Sequence, residues 1–184
     1  MNNFTLSETP LIDLKIITRN QKKDNRGYFS RLFCPNELKN IGWHDGVSQI
    51  NESFTSRQGT IRGMHYQKQP WSEVKIVSCV KGSVFDVAVD LRRDSETYLK
   101  WYGLELSSEN AMALFIPVGF AHGFQVLSDD ALMIYVHSKP YTSEADAGVN
   151  PFDKKIAIQW PLSIGLVSDR DSALPFIDFN FYGV

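Results

Sequence analysis

Val74-Lys75-Ile76-Val77-Ser78-Cys79-Val80, the turn Lys81-Gly82-Ser83, and Val84-Phe85-Asp86-Val87-Ala88-Val89-Asp90-Leu91 form the stretch on which the fold turns. In the second run Phe85, Val87, Val89 and Leu91 alternate with Asp86, Ala88 and Asp90, the period of two that gives a strand distinct faces. Two such runs joined by a glycine-centred turn predict a β-hairpin over Val74–Val80 and Val84–Leu91. Outward from it, Ser48–Phe54, Thr60–Gln67, Ala113–Ile116, Gly123–Val126 and Leu132–His137 read as further strands. Loops such as Pro117-Val118-Gly119 and Ser128-Asp129-Asp130 separate them. Helix signals are short: Pro35-Asn36-Glu37-Leu38-Lys39, with Asn36 as its N-cap, and the segment near Asp171. The pattern predicts an all-β sandwich or barrel, wrapped by the N-terminal 47 residues and by the tail after Pro161.

With 184 residues, 43% of them hydrophobic and 22% charged, the chain has the size of one domain, 1–184, that can bury a core. A net charge of −2 argues against binding nucleic acid through bulk charge. Met1-Asn2-Asn3-Phe4-Thr5-Leu6 carries no basic segment followed by an apolar run, and no stretch approaches the roughly 18 apolar residues of a membrane helix. A soluble, cytoplasmic protein without a membrane partner is expected. Cys34 and Cys79 are too few for a disulfide framework and read as free thiols.

Chemistry is most concentrated in Thr60-Ile61-Arg62-Gly63-Met64-His65-Tyr66-Gln67, where a cation, a flexible glycine and an imidazole share one strand. Taken alone, a strand histidine is more often a hydrogen-bonded structural residue. Arg62 and His65 are three apart, so a regular strand would send them to opposite faces. A bulge at Gly63 would bring them together. A metal site would need more than His65-Tyr66-Gln67 supplies, since the His-x-His pair of metal-binding barrels is missing and His122, His137 and His44 are isolated. Lys75, among Val74, Ile76 and Val77, either snorkels to solvent or faces an anion in a cavity, and without context snorkelling is the default. Asp86 and Asp90 read first as a solvated or structurally bonded face. Ser168-Asp169-Arg170-Asp171 reads as a helix cap with surface charge. Tyr135, Tyr141, Trp160, Phe176 and Phe181 are core by default, or stack on a base.

Several segments, in order, resemble the dTDP-4-dehydrorhamnose 3,5-epimerase family: Arg26-Gly27-Tyr28-Phe29, Gln49-Ile50-Asn51, Arg62-Gly63-Met64-His65-Tyr66-Gln67, Phe85 to Arg92, Ile116 to Phe124, and Trp160-Pro161. The similarity runs from about Asp24 to Pro175. It implies a cupin-type jelly-roll barrel and an epimerase that inverts C3, C5 or both of a nucleotide-linked 4-keto-6-deoxyhexose, for deoxysugar and O-antigen polysaccharide biosynthesis. By that resemblance His65 is the general base, Asp171 its partner, Tyr135 the proton donor on the opposite side of the sugar, and Lys75 with Arg62 the cations near the keto oxygen. Substrate-binding positions are expected at Arg26, Phe29, Arg31, Gln49, Asn51, Arg62, His122 and Tyr141. No metal and no cofactor are implied, because the 4-keto group is the electron sink. Relatives exchange N-terminal strands as dimers, with Arg26 and Phe29 matching residues that reach the neighbouring nucleotide site, so a homodimer is implied.

The chain departs from the family in places. Arg31 stands where glutamate is usual, which leaves dTDP and CDP open as the nucleotide. Val136-His137-Ser138 replaces a Lys-Thr-Thr-type run, Gly148-Val149-Asn150-Pro151 replaces a frequent Gly-Ile-Arg-Trp, and Asp146 replaces glutamate, which leaves a single-site C3 or C5 epimerase open. The rivals from other classes are a non-catalytic sugar-nucleotide-binding cupin and a metal-dependent cupin isomerase or oxygenase.

Overall fold

Strands that alternate apolar and polar residues must cover one face each, and here they do so by stacking two antiparallel sheets. The computed structural model describes residues 3–184. The larger sheet is ordered β1 (Phe4–Glu8), β2 (Lys15–Arg19), β10 (Met112–Ile116), β7 (Lys75–Lys81), β12 (Ala131–His137), β5 (Gln49–Thr55). The smaller is ordered β13 (Asp146–Gly148), β6 (Ile61–Gln67), β11 (Phe120–Val126), β8 (Ser83–Asp90), β9 (Trp101–Ser107). A separate ribbon pairs β3 (Lys22–Asp24) with β4 (Gly27–Phe29). The two short helices are α1 (Pro35–Leu38) and α2 (Asp169–Ser172). The all-β cupin-type jelly-roll expectation holds, and no helix among the described residues is long and apolar enough to cross a membrane.

Three local readings are corrected. The runs around Gly82 are both strands, but β7 lies in one sheet and β8 in the other, so the turn carries the chain between layers and closes no hairpin. Gly82 takes φ +70 there, and a side chain would meet Ser128 and Ala131. The N-terminal segment does more than wrap, since β1 and β2 extend the larger sheet beside β10. Asn36 does not cap α1; the helix begins at Pro35 and the cap position is Cys34, without a side-chain bond. Ser168 does cap α2, accepting the Asp171 N–H.

The apolar residues fall into three layers. Val77, Cys79, Val84, Ala88, Leu114, Phe120, Phe124 and Met133 fill one end of the space between the sheets. Met64, Val87, Val89, Ala121, Val149 and Ile156, with Trp160 and Phe181 against them, pack on the outside of the smaller sheet under the C-terminal segment. Leu38, Trp43, Ile76, Phe115 and Val136 pack on the outside of the larger sheet beneath the residues around α1. The other end of the space between the sheets is left to polar side chains.

Candidate active site

Three neighbouring strands of the larger sheet, β7, β12 and β5, build one wall by register alone. Lys75, His137 and Gln49 are cross-strand partners, as are Val77, Tyr135 and Asn51 one step along. Side chains two apart share a face, so β12 aims Tyr135 and His137 inward and sends Val136 to the outer layer. The opposite wall comes from the smaller sheet, where His65 on β6 is the partner of His122 on β11. Between them lies a cavity of about 380 Å³ lined by Gln49, Asn51, Ser53, Arg62, His65, Glu73, Lys75, His122, Tyr135, His137, Tyr141 and Asp171 among others. That size suits a small-molecule ligand.

Arg62 and His65 both line the cavity despite their spacing. The register of β6 against β11 is irregular between His122 and Phe124, at the level of Gly63. Gly63 takes φ +120, and a Cβ there would stand 2.6 Å from Gly123 Cα and 2.8 Å from the His122 carbonyl. Only glycine suits this crossing. The irregularity expected at Gly63 is what turns both side chains inward.

His65 Nε2 lies 2.7 Å from Asp171 Oδ1, and Asp171 Oδ2 accepts the Gly63 N–H at 3.0 Å. Burial pushes the Asp171 carboxyl up, but the bonds from His65 and Gly63 outweigh it and hold the group below its ordinary range. An ionised Asp171 takes the Nε2–H of the imidazole and leaves the Nδ1 lone pair to act as a base. Across the cavity Tyr135 shares a 2.8 Å hydrogen bond with Ser53 Oγ. Burial raises the phenol well above its ordinary value, so it stays protonated.

Lys75 does not snorkel. Its ammonium and the Glu73 carboxylate are both buried, 2.9 Å apart, and Glu73 Oε2 also accepts from Gln67 Nε2 at 2.7 Å. Burial would raise the Glu73 carboxyl, but Lys75 and Gln67 hold it below its usual value. Arg62, expected beside Lys75, is anchored elsewhere: its Nε donates to Thr55 Oγ1 at 2.9 Å and its Nη2 to the Phe54 carbonyl at 3.2 Å. Thr55 and Gln49 close opposite ends of β5, about 20 Å of extended chain apart.

His122 and Asp86 form a second pair, Nε2 to Oδ1 2.8 Å, with Asp86 fully buried and its Oδ2 without a partner among the described residues. Burial raises the Asp86 carboxyl more than His122 lowers it. The solvated reading of this strand face fails, because Asp86 and Asp90 are both fully buried. Asp90 is structural, accepting from Arg92, Ser95 and Thr97. Tyr141 is not core: it is 58% exposed at the rim, with its N–H on Gln49 Oε1 and its hydroxyl 3.3 Å from Asp146, which also pairs with Arg170. Phe176 is exposed as well. Cys34 and Cys79 are free.

Arg26, Phe29 and Arg31 do not line this cavity. Arg26 pairs with Asp24 at 2.7 Å and, like Phe29, stands exposed on the β3–β4 ribbon; Arg31 pairs with Glu37 at α1. Sequence reasoning missed Glu73, His137, Asp86 and Ser53 as site residues. The signal for Glu73 was its place two residues before Lys75, because a buried ammonium needs a counter-charge within reach, whereas His137 meets Lys75 only through cross-strand register.

The profile of the family described as dTDP-4-dehydrorhamnose 3,5-epimerase matches residues 8–178. A dTDP-4-dehydrorhamnose 3,5-epimerase of Shigella flexneri is 40% identical over 177 residues, 95% of this chain and 97% of the relative. A dTDP-4-dehydrorhamnose 3-epimerase of Streptomyces niveus is 38% identical over 156 residues, 84% of this chain and 75% of the relative. The crystal structure of a Bacillus anthracis dTDP-4-dehydrorhamnose 3,5-epimerase with TDP and PPi bound superposes with a TM-score of 0.91 at 36% identity, covering 95% of this chain and 99% of that one. With a jelly roll of the same topology and a match along most of its length, the chain belongs to the dTDP-4-dehydrorhamnose 3,5-epimerase family.

Proposed function

We propose that the protein epimerises a dTDP-linked 4-keto-6-deoxyhexose at C3 and C5. The observation that carries this reading is the placement of the His65–Asp171 pair and the protonated Tyr135 on opposite walls of one cavity. C3 and C5 both flank the C4 ketone, so one electron sink serves both. His65 Nδ1 takes the proton as the C–H electron pair moves into the C4 oxygen. Asp171 stabilises the imidazolium that forms. Lys75, fixed by Glu73, offers its ammonium to the developing enolate, which is where the barrier is lowered most. Tyr135 then returns a proton to the opposite face, inverting the carbon.

The CDP alternative rested on Arg31, whose charge is taken up by Glu37 within the chain. The relatives named above favour dTDP. Arg26 and Phe29 act on a neighbouring subunit's nucleotide in this reading, and the protein is a homodimer. Support comes from the ribbon that carries them, which joins neither large sheet, and from β5, an edge strand with Ile50 63% and Phe54 52% exposed on its outer face. A nucleotide-sugar substrate fits a cytoplasmic enzyme.

The test is conversion of dTDP-4-keto-6-deoxyglucose by chelator-treated protein, with the product followed by NMR and the CDP sugar as competitor. Inversion at both carbons of the dTDP sugar supports the reading. Inversion at C3 alone would make the protein like its Streptomyces niveus relative, and conversion of the CDP sugar alone would reverse the nucleotide assignment.

A further inference from the structure

The three imidazoles that line the cavity are held differently. His65 and His122 each place a ring nitrogen within 2.8 Å of a carboxylate. His137 does not: its Nδ1 is 3.9 Å from Glu73 Oε1, beyond hydrogen-bond reach, and the Glu73 oxygens are taken by Lys75 and Gln67. Among the described residues, neither ring nitrogen of His137 has a hydrogen-bond partner, although its side chain is only 14% exposed. A largely buried polar group left unpaired is costly, and inside a cavity it is available to a ligand.

Its position tells which ligand atom. His137 and Lys75 are direct cross-strand partners on the cavity wall, so their side chains project together at the same end. The ring stacks at 21° with Tyr135, centroids 6.2 Å apart, which limits its orientation. Burial, and then the positive Lys75, push the imidazole pKa down to about 4, so the ring carries one N–H and one lone pair at neutral pH. A neutral imidazole can polarise a carbonyl without placing a second full charge beside Lys75. Arg62, the other cation expected near the ketone, is anchored at the far end of β5.

We propose that His137 is a further catalytic residue, donating its ring N–H to the C4 oxygen of the sugar and completing, with Lys75, a two-donor site for the enolate. This rests on the epimerase reading above. The ring proton stays on His137 throughout; the electron pair from the broken C–H bond moves to the C4 oxygen and the carbon's proton moves to His65.

His137→Phe keeps the ring and its stacking but removes the nitrogens, while His137→Gln restores an N–H donor. In deuterated water, with dTDP-4-keto-6-deoxyglucose as probe, His137→Phe is expected to slow proton loss at C3 and C5 about a hundredfold without weakening dTDP binding. His137→Gln should recover most of that loss. A Phe variant exchanging at the wild-type rate, or Phe and Gln variants equally impaired, would overturn the assignment. A second readout does not depend on variants at this position folding. In the His65→Asn protein, the His137 ring 15N signals should move between the dTDP complex and the dTDP-4-keto-sugar complex, and identical signals would count against the proposal. Wild-type protein that exchanges neither proton would instead sink the epimerase reading itself.

Discussion

One carboxylate, Asp171, ties the His65 ring to the backbone irregularity that aims it: Oδ1 lies 2.7 Å from His65 Nε2 and Oδ2 accepts the Gly63 N–H at 3.0 Å. The base and the bend in β6 that delivers it are therefore fixed together, from a short helix on a distant part of the chain.

Asp171→Asn keeps the shape but reverses the hydrogen-bond logic at Nε2. Exchange of the C3 and C5 protons should fall by about two to four orders of magnitude, with dTDP affinity little changed. The same group gives a pH signature. Its folded-state pKa lies below the ordinary carboxylate value, so its contribution to stability is present above that value and is lost as pH falls through the folded pKa. The melting-temperature advantage of wild type over Asp171→Asn should accordingly be full at neutral pH and shrink on acidification.

Tyr135 is kept protonated by burial and fixed by Ser53. Tyr135→Phe should lower net epimerisation more than initial proton loss, which separates product formation from deuterium uptake. Equal loss of both would assign it a positioning role.

Glu73 and Lys75 are buried together, at 4% and 7% side-chain exposure. Removing either alone leaves an uncompensated charge, and Glu73→Ala or Lys75→Ala should cost about 3–5 kcal/mol in denaturant unfolding. The double replacement Glu73→Gln with Lys75→Met should regain most of that stability while remaining inactive, because the enolate would lose its ammonium.

Gly63→Ala forces a Cβ to within 2.6 Å of Gly123 Cα at a φ of +120. A loss of more than about 2 kcal/mol is expected, with exchange activity falling further than stability, since Arg62 and His65 both depend on this turn.

The strand positions around β5, β6, β8, β11 and β12 were legible because period-two alternation is local. What could not be read was pairing. Gly82 looks the same in sequence whether it closes a hairpin or carries the chain between sheets, and the difference lies in partners far along the chain. β9 was missed where Gly103 interrupts Trp101–Ser107; in the fold that glycine makes room for the Phe85 ring. The motif residues His65, Asp171, Tyr135 and Lys75 were identified through family resemblance. His137 carries no motif and becomes a site residue only when cross-strand register sets it beside Lys75, while Glu73 stands two residues before Lys75 and shows its role only once that ammonium is known to be buried.

The central claim is that His65 removes protons α to the ketone. Proton NMR in deuterated water with dTDP-4-keto-6-deoxyglucose, comparing wild type with His65→Asn, tests it most directly. The C3 and C5 signals should be lost with wild type and persist with a folded, dTDP-binding His65→Asn protein. Exchange by His65→Asn near the wild-type rate would contradict it.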